Sequence, residues 1–211
     1  MNKILIMGPQ GAGKGTQAEI LAEKLKIPAI SSGSLLREEI ATGSDLGCEV
    51  TKFTEAGTLV PDELMVAIIK KRLAQPDAVN GWILDGFPRI LSQVELFLNF
   101  VQPTNVILLK LNDENSVERL SGRLQCKECH QGFQEKFVPS KTHPFCDVCG
   151  GELVRRSDDT PEIIRQRLQI YHKETEPVAK KFEDMGILSR IDGSGTIEEV
   201  AELVAGVFVT N

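Results

Sequence analysis

The chain has 211 residues, 41% of them hydrophobic and 26% charged, with a formal net charge of -6. That length supports one domain with insertions, or two small ones, and a core large enough to fold without covalent staples. The acidic balance leaves no basic footprint for nucleic acid or an anionic membrane surface. No run approaches the ~20 apolar residues of a membrane span, and the opening MNKILIMGPQ is far short of a secretory apolar region. A cytosolic protein is expected, in which five reduced cysteines suit metal ligation better than disulfides.

In chain order, KILIMG predicts a buried strand, since continuous apolarity over four to six residues suits a parallel strand covered on both faces. GPQGAGKGT follows it, and a helix is predicted over 13–25. Strand, Gly-rich loop, Lys and helix in this register predict a phosphate-binding loop. Gly11 and Gly13 free the backbone so that N–H groups converge on phosphate oxygens, and Lys14 adds a point charge at a helix N-terminus. Gly15 stands where the strict pattern puts a hydroxyl residue, and Thr16 comes one place later, so magnesium must be held another way.

IPAISS predicts a second strand, 61–74 a helix, and WILDG a third strand with Asp85 at its end. Ser92 and Glu95, three apart, have the spacing of a capping box. NVILLKL is the fourth predicted strand, and 113–124 a helix that would carry Arg119 and Arg123 on one face, four residues apart. After a break come a helix over 160–184, the strand ILSRIDG, and a helix over 196–208 opened by a second capping-box pair, Thr196 and Glu199. Alternation of strand and helix predicts a doubly wound α/β fold, with the ligand at the carboxyl ends of the strands.

The break, Cys126 to Gly151, is polar, Pro- and Cys-rich, and reads as an insertion with its own small fold. Its first motif, CKECH, fits either c-type haem attachment or half of a metal clasp. Cys146 and Cys149 follow sixteen residues later, so Cys126, Cys129, Cys146 and Cys149 fit a closed tetrahedral zinc site of structural type. His130 is then at most a hydrogen-bonding neighbour, and Cys48 a small packing residue.

The Gly-Lys-Gly-Thr variant of the loop resembles that of the adenylate kinases, and the resemblance extends over almost the whole chain. ISSGSLLRE and AGTLVPDEL resemble the family's segment for the nucleoside monophosphate, and GWILDGFPRILSQ its signature strand and turn. RLSGRLQC and RRSDDTPEIIRQRL resemble the stretches bounding its mobile lid, where some members carry a four-cysteine zinc clasp. The resemblance implies a five-stranded P-loop core (1–30, 62–121 and 160–211), a monophosphate-binding segment (31–61) and a zinc-bearing lid (122–159). It implies magnesium-dependent phosphoryl transfer from ATP to AMP, giving two ADP, by a monomer.

By the same resemblance ATP would meet Gly11, Ala12, Gly13, Lys14, Gly15, Thr16, Arg119 and Arg123. AMP would meet Ser32, Arg37, Leu59, Val60, Gly86, Arg89, Gln93, Arg156 and Arg167. Lys14, Asp85, Arg89, Arg123, Arg156 and Arg167 would serve the chemistry, which is mainly alignment and charge neutralisation. Asp85 would orient magnesium through its waters, and Asp158 and Asp159 lie near the lid hinge, where they can also cap the helix begun by Pro161. Three positions depart from the family pattern: Ser32 for Thr, Ser34 for Asp beside the magnesium waters, and Ile90 for Thr. A related kinase using GTP as donor or a pyrimidine acceptor is the near alternative. A zinc-ribbon nucleic-acid binder switched by ATP is the distant one, and the net negative charge disfavours it.

Overall fold

A computed structural model describes residues 1–55, 60–156 and 159–208. Leu59 and Asp158, both named above, lie outside the described residues. The strands β1 (Asn2–Met7), β2 (Ala29–Ser31) and β3 (Gly81–Asp85) all fall where apolar runs predict them, as do β4 (Asn105–Lys110) and β8 (Leu188–Asp192). They form one parallel sheet in the order β2-β3-β1-β4-β8. After β3 the chain crosses β1 to build β4, so the direction of strand addition reverses at β1 and a crevice opens at its carboxyl end.

Both faces of the sheet are covered, which is why its strands are continuously apolar. Ile4 and Ile6 of β1 point to a cluster with Leu21 of α1 (Lys14–Leu25) and with Val200 and Val204 of α9 (Ile197–Gly206). Leu5 and Met7 point the other way, towards Phe97 of α5 (Leu91–Leu98) and Phe182 of α8 (Glu176–Asp184). At ~0.8 kcal/mol per buried methylene, these two clusters supply the main drive to fold. No helix among the described residues is long and apolar enough to cross a membrane.

Helix ends show which local signals prevail. Thr196 and Glu199 form the expected capping box, with Glu199 N–H donating to Thr196 Oγ1 at 3.2 Å and Thr196 N–H donating to Glu199 Oε2 at 2.8 Å. Ser92 and Glu95 do not: Ile90 is the N-cap of α5, and the Ser92 hydroxyl donates to Asp62 Oδ2 at 2.5 Å instead. Two unforeseen helices, α2 (Ser32–Ala41) and α3 (Asp45–Glu55), fill the segment before α4 (Asp62–Leu73). The run predicted as one helix over 160–184 is α7 (Pro161–Ile170), a π-helical stretch over Tyr171–Thr175, and α8. Pro177 has no N–H for the preceding turn, which accounts for the widened hydrogen-bond ladder there.

The helix expected over 113–124 stops earlier. α6 (Asp113–Ser121) is capped by Asn112, whose Oδ1 accepts from Asn115 N–H at 2.8 Å, and it ends at Gly122. Arg123 therefore begins β5 (Arg123–Cys126), because Leu124 and Cys126 alternate inward with period two. β5 is the centre of a second, antiparallel sheet with β6 (Gly132–Gln134) and β7 (Leu153–Val154). The core of this insertion is Leu124, Phe133 and Leu153 with the two cysteines Cys126 and Cys146, too little to hold a fold by burial alone.

Candidate active site

The phosphate loop joins β1 to α1. Gly13, at φ 82°, caps α1 in a left-handed conformation that glycine adopts without steric cost. The Lys14 ammonium donates to Pro9 O at 2.7 Å, within the loop itself. Desolvation brings its pKa down to about 8, and the negative charge of Asp85 partly opposes that fall. Asp85, in turn, ends β3 with Oδ1 buried and without a hydrogen-bond partner among the described residues. Burial raises its pKa, while Lys14 and Arg89 pull it back. A Cβ built on Gly15 would stand 3.8 Å from Asp85 Oδ2. No side chain at position 15 crowds Oδ2, and the unpaired, buried Oδ1 of the same carboxylate suits the water shell of a magnesium ion.

One cleft of about 750 Å³ runs from this loop to the inserted segments. Gly11, Ala12, Gly13, Lys14, Gly15 and Thr16 line it, with Ser32, Asp85 and Gly86. Arg37, Arg89, Arg119, Arg123, Arg156 and Arg167 also all reach it, although they are spread over 131 positions of the chain. Arg119 and Arg123 do not share a helical face. Arg119, on α6, donates to Gly193 O at 2.9 Å and Ser194 O at 3.0 Å, and lies 5.9 Å from the centre of the Phe137 ring. Arg123, on β5, donates from Nε and Nη2 to Asp159, each at 2.7 Å. Arg167 Nη1 stands 3.5 Å from the same carboxylate. Asp159 is thus an ion-pair partner of two arginines, and the cap of α7 is Thr160, whose Oγ1 accepts from Ile163 N–H at 3.4 Å.

At the other end of the cleft the Ser32 hydroxyl donates to Gly86 O at 2.9 Å. Gly86 has φ 80°, and a Cβ there would fall 2.7 Å from Ser32 Oγ, so close approach and backbone conformation both call for glycine. Arg89 Nε also donates to Gly86 O, at 2.8 Å. The Ser34 hydroxyl accepts from Arg37 Nη2 at 3.0 Å, which ties this departure from the family pattern to an arginine. Gln93 is buried, with Oε1 accepting from Arg89 N–H at 2.8 Å and Nε2 donating to Asp62 Oδ1 at 2.9 Å. The Val60 side chain packs into the larger core cluster.

The four cysteines converge. Their sulfurs all lie within 4.8 Å of one another, with Cys126 Sγ 3.4 Å from Cys149 Sγ and Cys129 Sγ 3.6 Å from Cys146 Sγ. Four thiolates bonded at ~2.3 Å to one zinc would stand ~3.8 Å apart, so the cluster fits that ion. His130 and Gly150, each following the second cysteine of a pair, both take positive φ, 60° and 74°. His130 is therefore an exposed turn residue of the clasp. Cys48 is also exposed, its sulfur 3.8 Å from Gly43 O, and is not the packing residue that composition suggests.

The adenylate kinase family model matches residues 6–187. An adenylate kinase of Clostridium tetani is 41% identical over 209 residues, 97% of each chain, and one of Methanothrix thermoacetophila is equally so. A Clostridium botulinum adenylate kinase is 39% identical over 203 residues, 94% of each chain. The chain belongs to the adenylate kinase family.

Two acidic residues do more in the structure than their place in the sequence indicates. The sequence puts Asp159 only near the hinge and gives Asp62 no part in the site. Each bonds a partner thirty or more positions away, Arg123 for Asp159 and both Ser92 and Gln93 for Asp62. Tyr171 and Phe137, which also line the cleft, carried no pattern that would have singled them out.

Proposed function

We propose that this chain moves a phosphoryl group reversibly from magnesium-bound ATP to AMP, giving two ADP. An oxygen of the AMP phosphate attacks the terminal phosphorus of ATP, and the bond from that phosphorus to the bridging oxygen of the departing ADP breaks. No water or electron is needed. The observation that carries this reading is the convergence of Lys14, Asp85 and six arginines on a single cleft.

The loop from Gly11 to Thr16 and Lys14 hold the donor phosphates, and Arg119 lies against the donor base. Arg123, Arg156 and Arg167 neutralise the transferring group, while Arg37 and Arg89 hold the acceptor phosphate. Ser32, Val60, Gly86 and Gln93 serve the acceptor nucleoside, a role that the family resemblance also gives to Leu59, outside the described residues. Magnesium, when bound with the nucleotide, would spread the charge of the phosphate oxygens, and Asp85, with its buried and unpaired Oδ1, would hold its waters. Zinc, when bound by the four cysteines, keeps the lid folded. Residues 122–159 form that lid and 31–61 the acceptor segment, both moving on the core of 1–30, 62–121 and 160–211. Closure of both over the nucleotides excludes water, which would otherwise take the phosphoryl group.

We further infer a monomer that works in the cytosol, where thiols stay reduced for zinc. The test is an activity panel of donors (ATP, GTP) against acceptors (AMP, GMP, CMP, UMP), with zinc analysis of the same preparation. ATP with AMP should lead by a wide margin. Preference for GTP or for a pyrimidine acceptor would overturn the assignment of substrates.

A further inference from the structure

Gln93 is held from two sides. Its Oε1 accepts the Arg89 N–H at 2.8 Å and its Nε2 donates to Asp62 Oδ1 at 2.9 Å. The Asp62 carboxylate is itself fixed, because its other oxygen accepts the Ser92 hydroxyl at 2.5 Å. A carboxamide has two donor hydrogens and two acceptor lone pairs. Among the described residues these contacts use one of each and leave one N–H and one lone pair on the amide. Turning the amide by half a revolution would put Oε1 against a carboxylate and Nε2 against a backbone N–H, two repulsive contacts in place of two bonds. The polarity of the free edge is therefore set by the protein before any ligand arrives.

We infer that Asp62 is a positioning residue for acceptor specificity: it locks the Gln93 amide in the sense that matches adenine and opposes a 6-oxopurine. This rests on the reading above in which Gln93 meets the acceptor base. Adenine offers a donor at its 6-amino group and an acceptor at N1, whereas hypoxanthine and guanine offer the reverse, an acceptor at O6 and a donor at N1. An amide free to flip would serve either pattern. An amide locked by Asp62 and the Arg89 N–H serves one, and leaves buried polar groups unpaired against the other. The same chain of bonds joins the base reader to Arg89, so base and phosphate recognition share one frame. Asp62 also lies in the first turn of α4, where its charge favours the helix dipole. That role alone predicts a change in stability and none in base choice.

The experiment measures kcat and KM for AMP and for IMP, at saturating ATP, in Asp62→Ala, Asp62→Ser, Asp62→Asn and Gln93→Leu. Serine suits a helix's first turn but is too short to reach Gln93, so it covers the case in which alanine does not fold. Loss of one orienting bond should raise KM for AMP about fivefold to tenfold in the alanine and serine variants, with kcat and KM for ATP little changed. The ratio of kcat/KM for AMP over IMP should narrow by a similar factor. Asparagine, which keeps an acceptor oxygen, should restore both. If Gln93→Leu discriminates as the parent does, the base-reading role of Gln93 is wrong and the inference falls with it. If Gln93→Leu loses discrimination while Asp62→Ala and Asp62→Ser keep it, the role of Asp62 alone is refuted.

Discussion

Arg123 and Asp159 form a two-pronged ion pair at the base of the lid, with Nε and Nη2 each 2.7 Å from a carboxylate oxygen. The Asp159 side chain is 3% exposed and that of Arg123 27%, so the pair is largely withdrawn from water. Arg167 shares the carboxylate. The pair fixes a strand of the lid to the segment by which the lid returns to the core. It also orients two guanidinium groups in the cleft.

Asp159→Asn should therefore weaken both functions. Removing one partner of a buried pair leaves charge uncompensated, and partial exposure of the arginines limits the loss to about 2 kcal/mol. A fall in kcat of about tenfold or more is expected from misaligned arginines. Thermal unfolding and steady-state kinetics of the variant check this. An unchanged kcat with lowered stability would confine Asp159 to anchoring the lid.

Lys14 gives a pH dependence to nucleotide binding. Its pKa of about 8 lies below the ordinary value of 10.5, so the free protein loses this charge as pH rises through about 8. Phosphate binding favours the charged form, so above that pH binding must take up a proton and affinity should fall, by at most about tenfold per pH unit. Calorimetry of ATP binding in buffers of different ionisation enthalpy will show the proton uptake. Asp85→Asn removes the charge that supports the ammonium, and should move the break to lower pH while nearly abolishing turnover. A break that stays in place in that variant would show that the two groups are not coupled.

Removing zinc should unfold the lid and spare the sheet. One zinc per chain is expected by elemental analysis, and chelation or Cys129→Ser should speed amide exchange over 123–154 with no change in β1 and β4. Each 1 kcal/mol lost corresponds to a melting shift of about 2–4 °C in a chain of this size. Gly151→Ala is a subtler probe, since its Cβ would fall 2.9 Å from Cys126 Sγ. Zinc affinity should drop about tenfold, as when groups around metal ligands are disturbed. Equal melting of metal-free and metal-bound protein would deny zinc a structural role.

His172 links three elements. Its Nε2 is 2.9 Å from Asp113 Oδ1 at the start of α6, and its Nδ1 is 3.0 Å from Glu176 Oε2 at the start of α8. Both partners are acceptors, so both ring nitrogens must donate, which only the charged imidazolium can do. The two carboxylates raise its pKa above the ordinary 6.5. The stabilisation is thus complete below about 6.5 and is lost as pH rises through the folded-state value. The ring is 45% exposed, so the effect should stay below about 1 kcal/mol. Urea midpoints of the parent should fall relative to those of His172→Gln between about pH 6 and pH 9, more at low salt than at high. Parallel curves would rule the bridge out as a pH-dependent contact.

Much of this molecule is legible in its sequence because the relevant physics is local. Five apolar runs mark five strands, since a parallel strand must be apolar on both faces wherever it lies in the sheet. The Gly-rich loop and the paired Cys-x-x-Cys turns carry their own geometry, as does the Thr196 capping box. Tertiary structure decided what depended on distant partners. Arg123 left the helix of Arg119 because Gly122 ends α6 and Leu124 and Cys126 find a small core of their own. Ser92 gave its hydroxyl to Asp62, thirty positions away, and not to its own helix. Asp159 went to Arg123 because a carboxylate with little access to water is stabilised most by a guanidinium that matches it at both oxygens. Spacing along the chain is blind to that choice, which is made only when folding brings the two charges out of water together.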